Sequence, residues 1–253
     1  MAEDKTSWGE VAGWYDRVVE SDDSYQTKVV LPQLIRVMNI TKGERVIDVA
    51  CGQGFFARAF QNAGAHVTGI DIGENLIAIA REKSKDIEYV VGSAESLQGI
   101  TDAQYDKATI ILALQNIEKL QDTCTSIARV LKSQGKCYIV LNHPSFRIPG
   151  RSSWEFDTIN YVQYRRVDGY MSESKKEMIM NPGAPIQDQI VTWSFHRPLQ
   201  VYTKALFKAG FAITRIEEWG SHKESEPGPR QKAEDKARKE FPLFMLLELQ
   251  KLV

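Results

Sequence analysis

The chain has 253 residues, of which 43% are hydrophobic and 26% charged, and its formal net charge is −1. Those totals allow one large domain or a domain with a modest cap, and the near-neutral balance excludes a global field that would draw in nucleic acid or an anionic membrane. Cys51, Cys124 and Cys137 are odd in number and lack C-x-x-C spacing, which argues against a disulfide framework or a zinc site and fits a reducing cytosol.

The first residues, MAEDKTSWGE, are acidic and polar, unlike a secretory leader. No apolar run reaches the roughly 18 residues of a spanning helix, so the expected location is cytoplasmic. Residues 8–20 and 26–39 read as helices, with Pro32 marking a kink or a second start. From residue 44 the pattern alternates. RVIDVA, HVTGID, IEYVVGS, YDKATIILAL and KCYIVLN read as strands. Between them GFFARAFQNAGA, ENLIAIAREKSKD and KLQDTCTSIARVLKSQG read as helices, the first closed by Gly64 and the last by Gly135. Strands with continuous apolar runs, alternating with helices, predict a doubly wound parallel sheet covered on both faces.

The alternation breaks at His143. Residues 144–198 are rich in proline and aromatic residues, and YRRVDGYM, KKEMIMN and QIVTWSF read as short strands around turns such as Asp168-Gly169 and Pro182-Gly183. The rhythm then resumes with a helix in LQVYTKALFKAG, a strand in FAITRIEEW, a charged helix in GPRQKAEDKARKEF and a closing strand in PLFMLLELQKLV. A single domain is therefore expected, with N-terminal helices (1–40), a core (41–143), an inserted cap (144–198) and a C-terminal completion of the sheet (199–253).

VIDVACGQGFF, Val46 to Phe56, ends a strand on Asp48 and follows it with Gly52 and Gly54. In an open parallel sheet the first strand-to-helix turn holds a ligand, and glycines let the backbone approach it closely. Gly52 to Ala57 matches the dinucleotide fingerprint G-x-G-x-x-A, with Asp71 ending the next strand where a ribose hydroxyl would be accepted. The sign of Asp48 separates the ligands. A carboxylate is repelled by a pyrophosphate and attracted by an ammonium or a sulfonium. S-Adenosylmethionine carries both cations and a ribose without phosphate, so Asp48 favours it over NAD.

VIDVACGQGFFARAF, VTGIDIGENLIAIARE, YVVGSAESL and YDKATIILALQNIEKL follow one another as do the motifs of the class I S-adenosylmethionine-dependent methyltransferases, and the chain resembles that family from residue 44 to about 141. It is most similar to the small-molecule branch typified by ubiquinone- and menaquinone-biosynthesis methyltransferases. VAGWYDRV resembles that branch's N-terminal helix, and FHRPLQVYTKALFKAGF its penultimate helix. The resemblance implies a Rossmann-like, mostly parallel seven-stranded sheet with an antiparallel last strand and a small inserted cap. It implies that Asp48, Ala50, Gly52 and Gly54 wrap the methionine half of the cofactor. Asp71 would bind the ribose hydroxyls, Ile72 would pack on the adenine, and Ser93 and Ala94 would lie at its edge. Leu114 and Gln115 would face the methionine. Ala50 stands where the family often has glycine, and Ser93 where an aspartate often accepts from the adenine.

Methyl transfer needs alignment and exclusion of water more than it needs a base. Three residues are candidates for the acceptor side. His143 follows the fifth strand and is either a base or a polar loop residue before proline. His196 is either catalytic or a structural hydrogen-bonder. Tyr15 either closes over the cofactor or packs in a core. The expected acceptor is a small molecule, aromatic or anionic. The cap holds seven positive and six negative side chains, which is no basic stripe, so nucleic acid is not an expected partner. Two other readings stay open: a methyltransferase acting on RNA, protein or peptide, and a non-catalytic cofactor-binding subunit.

Overall fold

The computed structural model describes residues 21–181, 185 and 189–252. The helix expected over 8–20, Tyr15 included, and the Pro182-Gly183 turn lie outside the described residues. Gln26–Val30 forms one π-helical turn that runs straight into α1, Leu31–Met38. Pro32 sits in the first turn of α1, where a missing backbone N–H costs least. The alternation then follows the expected order as β1 (Arg45–Val49), α2 (Phe55–Asn62), β2 (His66–Asp71), α3 (Glu74–Lys83), β3 (Glu88–Val91), β4 (Tyr105–Ile111) and α4 (Leu120–Val130).

One boundary differs from the sequence reading. α4 stops at Val130 rather than at Gly135, because Leu131 already pairs with Tyr105 and opens β5, Leu131–Asn142. Left-handed Gln134, with φ 62°, accompanies the register shift that follows. The cap contributes two antiparallel hairpins. β6 (Ser152–Asp157) pairs with β7 (Val162–Val167), and β8 (Ser174–Ile179) pairs with β9 (Val191–His196). β6 has no counterpart in the sequence reading, since its half-exposed SSWEFD lacks a buried face. The chain closes with α5 (Leu199–Lys208), β10 (Phe211–Trp219), α6 (Gln231–Glu240) and β11 (Phe244–Lys251).

The main sheet has seven strands in the order β10-β11-β5-β4-β1-β2-β3. β11 runs antiparallel to both its neighbours, and β1 to β5 pair in parallel. Successive residues of a strand face opposite sides, so β1 serves two cores. Ile47 and Val49 join α4 and α5, while Val46 joins α1, α2 and α3. Each such fully buried aliphatic side chain contributes roughly 1.5–3 kcal/mol. β1 lies between β2 and β4, and the chain leaves it in one direction before crossing to the other side. At such a switch point a crevice opens beyond the carboxyl ends of the strands. Among the described residues no helix is long and apolar enough to cross a membrane.

Candidate active site

The crevice is a cleft of about 370 Å³, within the range of small-molecule sites. Its floor comes from the turn after β1. Ala50, Gly52 and Gly54 all adopt left-handed backbone, with φ of 55°, 56° and 77°. Ala50 and Gly52 line the cleft, and Gly54 caps α2 behind it. A Cβ on Gly54 would come within 2.3 Å of Tyr89 Oη, so the turn needs glycine there for space as well as for conformation.

Asp71 ends β2 in the cleft wall. Its Oδ2 accepts the Gly52 N–H at 2.9 Å and its Oδ1 accepts the Gly73 N–H at 2.8 Å. The two donors fix the carboxylate while each oxygen keeps a further lone pair for a ligand hydroxyl. Burial raises its carboxyl above the ordinary range despite those donors. Asp48 is almost fully buried and accepts from Thr109 Oγ1 at 2.7 Å. Burial, reinforced by the charge of Asp71, pushes Asp48 up to about 7. It lines a side pocket of about 30 Å³ that shares Ala50, Gly52 and Ile111 with the cleft. Gln53 lines the same pocket, and its buried Nε2 has no hydrogen-bond partner among the described residues. Cys51 is buried there too, and burial with two nearby carboxylates raises its thiol so far that a thiolate is disfavoured.

These features fit S-adenosylmethionine. An unpartnered amide N–H matches an amino-acid carboxylate, and a carboxyl poised near neutrality matches an ammonium. Ile72 stays 42% exposed at the cleft, a free apolar surface for a planar base. Ser93 and Ala94 complete that end. Glu95 also lines the cleft, but its carboxylate accepts the Lys119 N–H and pairs with Lys119 Nζ at 3.4 Å.

The segment after β4 is arranged differently from the sequence expectation. Leu114 is fully buried in the core facing α4 and α5, and Gln115 is buried away from the cleft. Leu112, Ala113, Asn116 and Ile117 form the wall instead. The cause is Leu112, whose left-handed backbone, φ 54°, turns the chain over. Its N–H donates to the Val140 carbonyl at 2.7 Å, and its carbonyl accepts Gln115 Nε2 at 2.6 Å. Gln115 thus holds the turn that shapes the wall.

The acceptor-side histidines lie off the cleft lining. His143 is buried, with Nε2 2.7 Å from Glu218 Oε1, and its Nδ1 accepts the Ser145 N–H at 3.2 Å. Burial lowers its pKa, outweighing Glu218, so the ring is neutral with both nitrogens engaged. His196 is buried and donates from Nε2 to the Tyr170 carbonyl at 2.8 Å. Neither histidine lines the cleft. The far wall is the β8–β9 hairpin, through Lys175, Val191, Thr192, Trp193 and Phe195. Trp193 and Phe195 are two apart on β9 and share a face, a spacing visible in WSF. Lys175 Nζ lies 4.7 Å from the Trp193 ring centroid and 3.4 Å from Glu118 Oε1.

Residues 47–139 match the methyltransferase domain family. The chain is 26% identical over 145 residues to the demethylmenaquinone methyltransferase of Renibacterium salmoninarum, covering 54% of this chain and 61% of that protein. It is 31% identical over 101 residues to the ubiquinone biosynthesis O-methyltransferase of Aeromonas salmonicida, covering 38% of this chain and 42% of that one. The chain thus spans less than two thirds of the length of these curated relatives. The crystal structure of an S-adenosylmethionine-dependent methyltransferase from Mesorhizobium loti superposes with a TM-score of 0.67 at 25% identity, over 86% of this chain and 96% of that one. The [4+2]-cyclase SpnF shares the fold alone, with a TM-score of 0.61 at 17% identity over 97% of this chain and 94% of that one. Residues 47–139 thus match a methyltransferase domain, and the chain has the fold of S-adenosylmethionine-dependent methyltransferases, for which S-adenosylmethionine is the cofactor.

Proposed function

We infer that the protein transfers a methyl group from S-adenosylmethionine to the oxygen or nitrogen of a small-molecule acceptor. The observation that carries this reading is the pairing of two walls around one cleft. Asp71, Gly52 and Ser93 form the cofactor side, and Trp193 and Phe195 of the cap face them. When bound, S-adenosylmethionine supplies a methyl on a good leaving group. Asp48 and Gln53 would hold the amino-acid end, Asp71 the ribose, and Ile72, Ser93 and Ala94 the base. The rings of Trp193 and Phe195 exclude water and offer an apolar surface for a flat acceptor. Lys175 lies over both rings and pairs with Glu118, and both line the cleft.

Neither His143 nor His196 lines the cleft, so neither stands where a general base would act. An amine that arrives neutral, or an acidic phenol, needs none. The near-neutral charge and the lack of a basic stripe support a small molecule over nucleic acid. The quinone-pathway relatives named above support the same class. The test is a methyl-transfer screen against pooled metabolites with isotopically labelled S-adenosylmethionine. Label entering a small-molecule product is the expected result. Label entering only added RNA or protein would overturn the small-molecule reading, and binding without turnover on any acceptor would favour a non-catalytic subunit.

A further inference from the structure

Two arginines stand beyond the carboxyl end of β5 with no acid beside them among the described residues. Arg147 donates from Nη1 to Asn142 Oδ1 at 2.6 Å and lies 5.5 Å over the Phe244 ring centroid. Arg165 donates from Nε to the Phe146 carbonyl and from Nη2 to Ser152 Oγ, both at 2.8 Å, and lies 5.1 Å over Trp154. All these acceptors are neutral, and a guanidinium has five N–H groups, so both forks keep free donors. Burial, together with the charge of Arg165, lowers Arg147, and burial lowers Arg165. Two like charges held near each other, with no carboxylate among the described residues beside them, cost electrostatic energy. An oxyanion between them removes that cost and suits the planar fork.

The surroundings are built to hold this arrangement. The His143 carbonyl accepts the Arg147 N–H at 2.9 Å, and its ring lies 4.7 Å from Phe146. Phe241 packs edge-on against both Phe146 and Trp154, at 5.4 Å each. Neither arginine lines the cleft, but the pair follows β5, beside β4, whose next segment forms the cleft wall. The Leu112 N–H to Val140 bond ties the cleft wall to β5 just before Asn142, and neighbouring strands are only about 4.8 Å apart.

We propose that Arg147 and Arg165 form the oxyanion-holding part of the acceptor subsite, gripping beside Phe146 and Trp154 a carboxylate or phosphate carried by an acceptor whose flat end meets Trp193 and Phe195. The word acceptor rests on the methyl-transfer reading; the oxyanion site does not. The test is calorimetry of the full chain in S-adenosylhomocysteine, titrated with benzoate, phenyl phosphate and, as the neutral control, benzyl alcohol. At least one anion is expected to bind tenfold or more tighter than benzyl alcohol. The tighter of the two tells carboxylate from phosphate. Arg147→Gln and Arg165→Gln should each weaken that anion about tenfold or more while S-adenosylhomocysteine affinity stays within twofold. Arg147→Lys keeps the charge and loses the fork, and folded by circular dichroism it should still bind the anion several-fold less tightly. Equal binding of charged and neutral probes, no binding of any probe, or unchanged anion affinity in the folded variants would overturn the proposal. Anion binding without any S-adenosylhomocysteine binding would instead sink the methyl-transfer reading and leave the oxyanion site standing.

Discussion

The guanidinium of Arg197 donates to the backbone carbonyl of Glu118 at 2.7 Å, from the link between β9 and α5 to the segment that lines the cleft after β4. The same nitrogen donates to the Ile117 carbonyl at 2.9 Å, and Arg197 is buried with its fork 5.0 Å over the Phe195 ring. A residue between cap and core therefore pins one cleft wall and packs on the other. Arg197→Ala should lower stability by about 2–3 kcal/mol, since charged hydrogen bonds to buried carbonyls are lost. It should also weaken S-adenosylhomocysteine severalfold, because Ile117 and Glu118 line the cleft. Denaturant melts and calorimetry check both, and an unchanged ligand affinity would mean that the wall holds itself.

Asp48 sets a pH dependence. Its folded value of about 7 lies above the ordinary 3.8. Between those values the folded state keeps a proton that the unfolded chain has lost, so this group's contribution to stability falls as pH rises through that window. Asp48→Asn removes the penalty. The ligand-free variant should match wild type near about pH 4 and exceed it above about pH 7 in thermal melts. S-Adenosylmethionine affinity should rise from about pH 6 to 7.5 in wild type as the carboxylate forms, and stay flat in the variant.

Ala50 sits at φ 55° in the turn after β1. A Cβ in the left-handed region costs roughly 1 kcal/mol or more, part of which glycine returns through its freer unfolded chain. Ala50→Gly should therefore raise stability by about 0.5–1 kcal/mol and preserve S-adenosylhomocysteine binding. A less stable variant in urea titrations would show that Ala50 contributes packing that the turn needs.

Leu112 carries a similar cost, about 1–3 kcal/mol for a strained residue at a functional site, and Gln115 offsets it by holding the Leu112 carbonyl. Gln115→Ala should lower stability by about 1–2 kcal/mol and raise the dissociation constant for S-adenosylhomocysteine. Lost stability with unchanged ligand affinity would show that the turn keeps its shape without the amide.

The sheet was legible because strand and helix periods differ, and five apolar strands between capped helices leave few topologies. The turn that brings Asp48, Gly52 and Asp71 together was legible because a strand end and a glycine turn constrain each other. The α4 boundary was not, since Leu131 continues the helical spacing while its ladder partner Tyr105 lies on another strand. Leu114 and Gln115 fall outside the cleft lining because nothing local marks Leu112 as left-handed; the Val140 bond that fixes the turn is tertiary. His143 follows the fifth strand as a base would, but Glu218 on β10 claims its ring. The β8–β9 wall was visible only as an aromatic alternation, without a sign that it folds over the cleft.

The central claim is that the turn after β1 and Asp71 hold S-adenosylmethionine. Calorimetry with S-adenosylmethionine, S-adenosylhomocysteine and NAD, on wild type and on Asp71→Ala, tests it most directly. The account predicts binding of both sulfur compounds, no binding of NAD, and a loss of about tenfold or more in Asp71→Ala, from ribose hydrogen bonds worth roughly 1–3 kcal/mol each. Tight NAD binding with no response to either sulfur compound would contradict it.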